Sequence, residues 1–367
     1  MNGIRLIIIL LTLKVISIPV ARAQLGFEDH AFPEIITSAR ALAMGNAFIA
    51  KTDDPWAVFY NPAGLGTVRG SALQMGQIHT EFNNGFWDLT KGEGSSTVSK
   101  MMRNFNADGL RRNLMDRPGN MSHSRLSLFP NFTTRYLSFG YVYSQQARAR
   151  LTDLNSDMEF ATRTDHGPLL GMNFSFFGGI LKLGASTVYL HRRQLQAEYD
   201  INQTIEIPRE DYDIGRAFIT NLGARVTLPY TFLPTFAAVM RNATNSSFKA
   251  TRSNDTPEDI ARSIDLGVSI TPQVGQVTRM HLEVNYKDLS DEYDTDMKRR
   301  LGMGVEFDMW RRYFVRFGYG DGFGSAGIGL RHQAFSFDLT TYAVDLSENR
   351  FRGEEDRRWV LSFGSGF

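Results

Sequence analysis

"LGMGVEFDM", residues 301–309, alternates without a break. Leu301, Met303, Val305, Phe307 and Met309 fall on one face of an extended chain; Gly302, Gly304, Glu306 and Asp308 fall on the other. Successive side chains of a strand point to opposite faces, so the stretch predicts a β-strand with one apolar and one polar side. The pattern continues outward in "MHLEVNYK" (280–287), "IDLGVSIT" (264–271) and "FITNLGARVTL" (218–228). In each, the polar partners are Gly, Ser, Asn or full charges. Asp265, Glu283, Glu306, Asp308, Arg316, Arg331 and Asp338 all take the polar side, which carries no apolar excess wherever it can be assigned.

About fourteen such segments follow one another as hairpins. They lie near 71–82, 123–131, 134–149, 159–177, 180–198, 212–229, 233–244, 260–271, 276–287, 297–309, 312–320, 323–333, 335–345 and 357–367. Their connections alternate long and short, from the polar stretch 83–122 onward; "GDGFG" (320–324) breaks the trend. Long loops at one end and short turns at the other are the signature of a transmembrane β-barrel, and an even strand number brings both chain ends to the short-turn side. Tyr136, Tyr141, Tyr143, Tyr286, Trp310, Tyr313, Tyr319 and Trp359 gather near segment ends, as interfacial girdles do. The expected fold is all-β: an antiparallel transmembrane barrel spanning 71–367, with a long extracellular loop at 83–122. A spanning sheet must close on itself, because an unpaired backbone amide in hydrocarbon costs several kcal/mol.

The N-terminus adds a compartment. Arg5, the apolar run "LIIILLTLKVISIPV" and "ARA" at 21–23 predict a signal peptide over 1–23. No later stretch has the apolar length of a membrane helix. The chain has no cysteine and a net charge of +1, so neither disulfides nor nucleic acid enter the expectation. The last strand, "RWVLSFGSGF" (358–367), ends on Phe367. An alternating final strand with a terminal aromatic resembles the signal read by the bacterial barrel-insertion machinery, an expected partner in the outer membrane.

Residues 24–70 precede the first strand and are expected to form a hatch inside the barrel. In "SARALAMGNAFIAKTDDPWAVFYNPAGLG" (38–66), a short helix is expected to open at Asp53 or Asp54, with Pro55 at its first position. Asn61, Pro62 and Gly64 stop it. This stretch resembles the N-terminal motif of the FadL/TodX hydrocarbon and fatty-acid channels and of the related PorV-type barrels. The resemblance rests on Ala39 to Gly45, the acidic pair Asp53 and Asp54, and Tyr60 to Leu65. It implies a fourteen-strand barrel with its N-terminus folded inside. It further implies passive uptake of hydrophobic small molecules, or, on the PorV side, a non-enzymatic partner role in protein secretion or surface attachment. Met44, Phe48, Trp56, Phe59, Tyr60, Asn61 and Pro62 match the hatch region; they line a ligand pocket or simply pack the plug, and packing is favoured for most.

For capture, Met101, Met102, Phe105, Arg111 and Arg112 in the 83–122 loop combine adaptable apolar surface with charge for an acidic head group; the alternative is a helix that caps the barrel mouth. For a sideways exit, Gly167, Pro168 and Gly171 are expected to kink a strand, unless that strand simply begins at Pro168. The inward charges are read as cross-lumen ion pairs in preference to an ion path. "GFGSAG" (322–327) lacks the following helix of a dinucleotide site and reads as a hairpin. His166, His191, His281 and His332 have no metal-ligand spacing, and Asp288, Asp291, Asp294 and Asp296 do not form an EF-hand loop. No nucleophile, base and orienting group come together, so neither an enzyme nor a cofactor is expected.

Overall fold

The computed structural model describes residues 35–68, 70–90, 107–251, 255–332, 335–346, 351 and 353–366. The expected signal peptide, Met101, Met102, Phe105 and Phe367 lie outside these residues. Sixteen β segments join in one antiparallel sheet. In chain order they are β1 (Ala72–Asn83), β2 (Met121–Leu128), β3 (Asn131–Thr133), β4 (Leu137–Arg150), β5 (Met158–Phe176), β6 (Leu181–Tyr199), β7 (Asp213–Thr227) and β8 (Thr235–Arg241). β9 (Lys249–Ala250), β10 (Ser263–Ile270), β11 (Thr278–Tyr286), β12 (Leu301–Met309), β13 (Tyr313–Gly320), β14 (Phe323–Arg331), β15 (Phe335–Asp345) and β16 (Glu355–Gly366) complete the set. β2 and β3 are one barrel strand broken at Pro130, since β1 and β4 pair with both. β9 pairs only with the upper part of β7. Fourteen barrel strands therefore stand among the described residues. The sheet closes where β16 meets β1, from Gln74 opposite Gly366 to Asn83 opposite Arg358.

The strand expectations hold in number and order. The expected strand 297–309 starts late because Met297–Arg300 form a helical turn, capped by the Asp296 carboxylate on the Lys298 N–H. "GDGFG" is a tight turn: Asp321 and Gly322 both have positive φ, the mirror-image geometry that suits a two-residue hairpin. β14 follows at once, so "GFGSAG" is a hairpin arm.

The barrel is apolar outside and polar inside, the reverse of a water-soluble protein. Leu170, Met172 and Phe174 of β5, Phe218 and Leu222 of β7, and Val268 of β10 are exposed. The largest fully buried side chains include Arg163, Arg192, Arg316 and Arg358. Exposed aromatics mark the short turns: Tyr136, Phe177, Tyr230, Phe232, Trp310 and Tyr313. This is the pattern of a wall in hydrocarbon with an aromatic belt at its edge. Val268→Arg, on the lipid face, is expected to lower the unfolding free energy in a bilayer by about 2–4 kcal/mol, the cost of a charge near midplane. Denaturant titration in liposomes measures it; a change near zero would mean that this face meets water.

The wall is uneven in height. β5 and β6 each have 19 residues, whereas β13 has 8. About ten residues cross a bilayer, so the long strands stand well clear of it at the loop end. There Ala149, Met158, Phe160 and Leu195 continue the outward alternation but are buried. The loop helix Ala107–Met115 covers them through Leu110 and Leu114, joined by Ile201 and Ile205. The tall flank is thus sealed by the long loops.

Candidate functional site: the hatch and its seat in the lumen

Residues 35–68 lie inside the barrel and are almost entirely buried. Small residues shape the path. Helix Ala39–Ala43 lies against β13–β16, where the Thr340 hydroxyl donates to the Ala39 carbonyl at 2.9 Å. Gly45 and Asn46 then turn the chain with positive φ. Ile49 and Ala50 pack on Ala237 and Val239 of β8, and the Ala50 N–H donates to Glu283 at 2.8 Å.

The expected short helix is Ala57–Tyr60, preceded by an Asp54 carboxylate that accepts the Trp56 N–H at 3.1 Å. It begins two residues later than Pro55 suggests, because Asp54 forms a turn with Trp56 instead of capping the helix directly. Asn61 ends this helix and starts the 3-10 turn Pro62–Thr67. Its side-chain oxygen accepts the Ala63 N–H at 3.0 Å and its amide donates to the Ile49 carbonyl at 2.8 Å. The Asn-Pro-Ala-Gly-Leu pentad (61–65) is therefore a brace between two parts of the hatch as well as a helix stop.

The two halves of the stretch dock on two glycine floors of the wall. Ala43, Met44 and Gly45 rest on Gly304, Gly318, Gly320 and Gly327: a Cβ at Gly304 would lie 2.6 Å from the Met44 Cβ, and one at Gly327 2.7 Å from the Ala43 Cβ. At Gly318 and Gly320 a Cβ would fall directly on the Gly45 backbone. Asn61, Pro62 and Ala63 rest on Gly184 and Gly223, where a Cβ would meet the Pro62–Ala63 backbone or the Asn61 side chain. β12–β14 and β5–β7 are separated along the barrel order on both sides, so the hatch is held at two distant points of the circumference. Glycine is needed because backbone meets backbone.

Charge fixes the first seat. Arg40 grips Glu306 of β12 with a two-bond fork, Nε to Oε2 and Nη2 to Oε1 at 2.7 Å each. Its third nitrogen donates to Asp53 at 2.6 Å and Asp54 at 3.0 Å. Glu306 also accepts from Arg316 at 2.7 Å, and Arg316 donates to Asp338 at 2.6 Å. Burial works against the ionised Asp53 carboxylate, but Arg40 and Lys51 outweigh it and hold the group below the usual carboxylate range. Burial pushes Asp54 up despite Arg40. The inward charges thus pair, as expected, and the network runs from the wall into the hatch. Asp265 likewise accepts from Arg241 at 2.7 Å. Arg331 stands farther off, 4.0 Å from Asp54, and Asp308 accepts the Arg311 N–H.

Met44, Phe48, Trp56, Phe59 and Tyr60 come together in one buried apolar cluster. Phe48 meets Tyr60 edge-on at 5.5 Å, and Phe59 meets Phe129 of the wall at 5.1 Å. Arg40 lies over Phe48 at 5.0 Å. The same cluster includes Val142, Leu169, Val188, Leu190, Ala217 and Ile219, lumen-facing residues of β4–β7. This corrects the expectation that the inward faces carry no apolar excess: one quarter of the wall does, opposite the hatch aromatics, and of its strands only β7 was among those whose alternation was read from the sequence.

A cavity of about 420 Å³ opens toward the short-turn end, lined by Arg40, Lys51, Asp53, Asp54, Trp56, Arg279, His281 and Phe314 among others. It is mostly polar, and of the expected pocket residues only Trp56 reaches it. In the loop, Arg111 is buried, donating to Asp108 at 2.9 Å and to the Ile201 carbonyl at 2.6 Å. Arg112 pairs with Asp108 at 2.7 Å and keeps 58% of its side chain exposed. β5 runs unbroken through Gly167, Pro168 and Gly171, so it does not begin at Pro168. Its ladder to β6 skips Gly167 and Pro168 and resumes in the same register, His166 opposite His191 and Leu169 opposite Val188. Gly171 receives Val58 of the hatch, 2.8 Å from where its Cβ would be.

Fold and lumen together define a plugged, membrane-spanning β-barrel of the outer-membrane type. Among solved structures it is similar to the CymD monoaromatic hydrocarbon channel, at 9% identity and a TM-score of 0.52 over 92% of this chain and 99% of that one. It is also similar to the P. putida toluene transporter TodX, at 11% identity and a TM-score of 0.52 over 91% and 99%. The TodX deltaS2S3 mutant monoaromatic hydrocarbon channel gives 10% and 0.54 over 93% and 100%. At these identities the likeness is one of fold. No family model and no curated protein matches the sequence.

Proposed function

We propose that the chain is an outer-membrane channel for passive uptake of hydrophobic small molecules, gated by residues 35–68. The observation that carries this reading is the lumenal apolar patch of β4–β7 facing Trp56, Val58 and Phe59, larger than the other apolar contacts of a lumen that elsewhere carries many polar and charged groups. Such a patch offers an apolar molecule a place to leave water. The fold shared with a toluene transporter and a monoaromatic hydrocarbon channel supports uncharged, ring-sized substrates. In this reading Met101, Met102, Phe105 and Arg112 are the proposed capture residues, the first three lying outside the described residues. The ladder gap at Gly167–Pro168 is the proposed exit, since the β5–β6 pairing is interrupted there and proline brings no backbone donor. The insertion machinery is the proposed reader of the last strand. The test is accumulation of radiolabelled toluene by cells whose outer membrane lacks other hydrocarbon channels. Expression of this chain is expected to speed entry over a vector control; equal rates would contradict the proposal.

A second reading, a non-enzymatic partner in protein secretion or surface attachment, draws support from the charged, open cavity at the short-turn end. It predicts unchanged toluene entry and loss of specific surface proteins when the gene is deleted.

A further inference from the structure

After β8 the chain leaves the wall. Asn242, with positive φ, frames the excursion: its amide donates to the Ile260 carbonyl at 2.7 Å and its oxygen accepts the Ser246 N–H at 3.0 Å. The chain touches β7 again as β9 and places Phe248, Pro257, Glu258 and Ile260 inside the barrel. Phe248 is buried in the apolar cluster that holds the hatch aromatics and the β4–β7 patch. Gly215 of β7 makes the room: its Cβ would lie 3.0 Å from the Phe248 Cβ and 2.8 Å from Pro257. Above the ring sits the Arg192 guanidinium, 4.8 Å from its centroid. The Phe248 N–H donates to Asp259 at 2.7 Å, which fixes the backbone behind the ring.

Beyond its Cα, a phenylalanine side chain has the carbon skeleton of toluene. We infer that Phe248 fills the place of an uncharged, ring-sized aromatic ligand, and that Glu258 is the clasp that keeps it there. The inference rests on the uptake reading above. The clasp has three bonds. Arg163 donates to Glu258 Oε2 at 2.7 Å, Gln196 donates to Oε1 at 3.2 Å, and Arg192 donates to the Glu258 carbonyl at 2.9 Å. Arg163 is fully buried, but 41% of the Glu258 side chain is exposed. An ion pair open to water on one side is weak and can be exchanged. The pair beside it is different: Arg192 and Asp165 are both buried and bonded twice, at 2.8 and 2.9 Å, so this wall rung stays when the clasp opens. A ligand arriving from the loop end therefore has one partly exposed clasp of three polar bonds to open and one aromatic ring to displace.

A tethered competitor lowers apparent affinity by the fraction of time the site is free. The experiment is equilibrium dialysis of radiolabelled toluene against the full chain in lipid nanodiscs, corrected with empty discs, with the folded state of each variant checked by gel mobility before and after heating. Phe248→Ala is expected to bind about tenfold more tightly than the parent, as removal of a dominant internal competitor requires. Glu258→Gln, at a half-exposed position, is expected to shift affinity in the same direction by a smaller factor. Toluene binding to the parent with no change in either variant would overturn the inference and leave the uptake reading standing. No binding above empty discs by any of the three would overturn both.

Discussion

Gly318→Val is expected to unseat the hatch while the barrel still closes. A Cβ at this position falls on the Gly45 nitrogen and the Met44 carbonyl carbon. These are backbone atoms on a segment tied down by Arg40 on one side and by the Gly45 N–H bond to Ser325 at 2.9 Å on the other. Overpacking costs about 1–3 kcal/mol where side chains can shift, and here no side chain is available to shift. The wall tolerates the change: Gly318 pairs with Gly304 and Ser325 in regular ladders, and valine favours strands. The variant should show a folded barrel by heat-dependent gel mobility, rapid proteolysis within 35–68, and ion conductance in planar bilayers where the parent is closed. Unchanged protease resistance would mean that the glycine floor does not seat the hatch.

Arg40→Ala is the second large effect. It strips Glu306 of its fork and Asp53 and Asp54 of their shared cation, all within a buried site. Removing one member of a buried pair typically costs about 3–5 kcal/mol, because the partner is left charged without compensation. Trp56 reports on the loss: it is the one buried tryptophan of the four, the others being 39–60% exposed. Urea titration followed by its fluorescence is expected to show a hatch transition well below that of the barrel. Arg40→Lys should not restore it, since an ammonium cannot form the fork. A loss under about 1 kcal/mol, the scale of an exposed pair, would contradict the account.

The barrel was legible because its wall obeys a local rule. Period-two alternation in stretches such as 301–309 and the sorting of long and short connections act over a few residues each, and both survive in the strand order and closure. The hatch was legible through its punctuation, Asn61-Pro62 and Gly64. Its seat was not. Gly304 was visible as a polar-face partner of apolar residues, but what it makes room for with Gly318, Gly320 and Gly327 depends on contacts across hundreds of residues. The same distance hid Arg40's hold on Glu306 and the inward course of Phe248 and Glu258. One local signal was available: glycine recurring on the inward face of adjacent strands marks a place where another backbone comes close. The lumenal patch of Val142, Leu169 and Val188 was hidden for another reason, because apolar residues on both faces of β4–β6 blur the alternation that identifies an inward side.

The central claim is that residues 35–68 sit across the lumen of a closed barrel, with Ala43 against β14. The chain has no cysteine, so a pair introduced at Ala43 and Gly327 reports on this alone. The Cβ positions lie 2.7 Å apart, within about an ångström of disulfide geometry. Oxidation of the double variant in native membranes should join the two positions and shift the mobility of the heat-denatured chain until reductant is added. Two free thiols in a folded barrel, each open to a maleimide, would show that the hatch is not seated where this account places it.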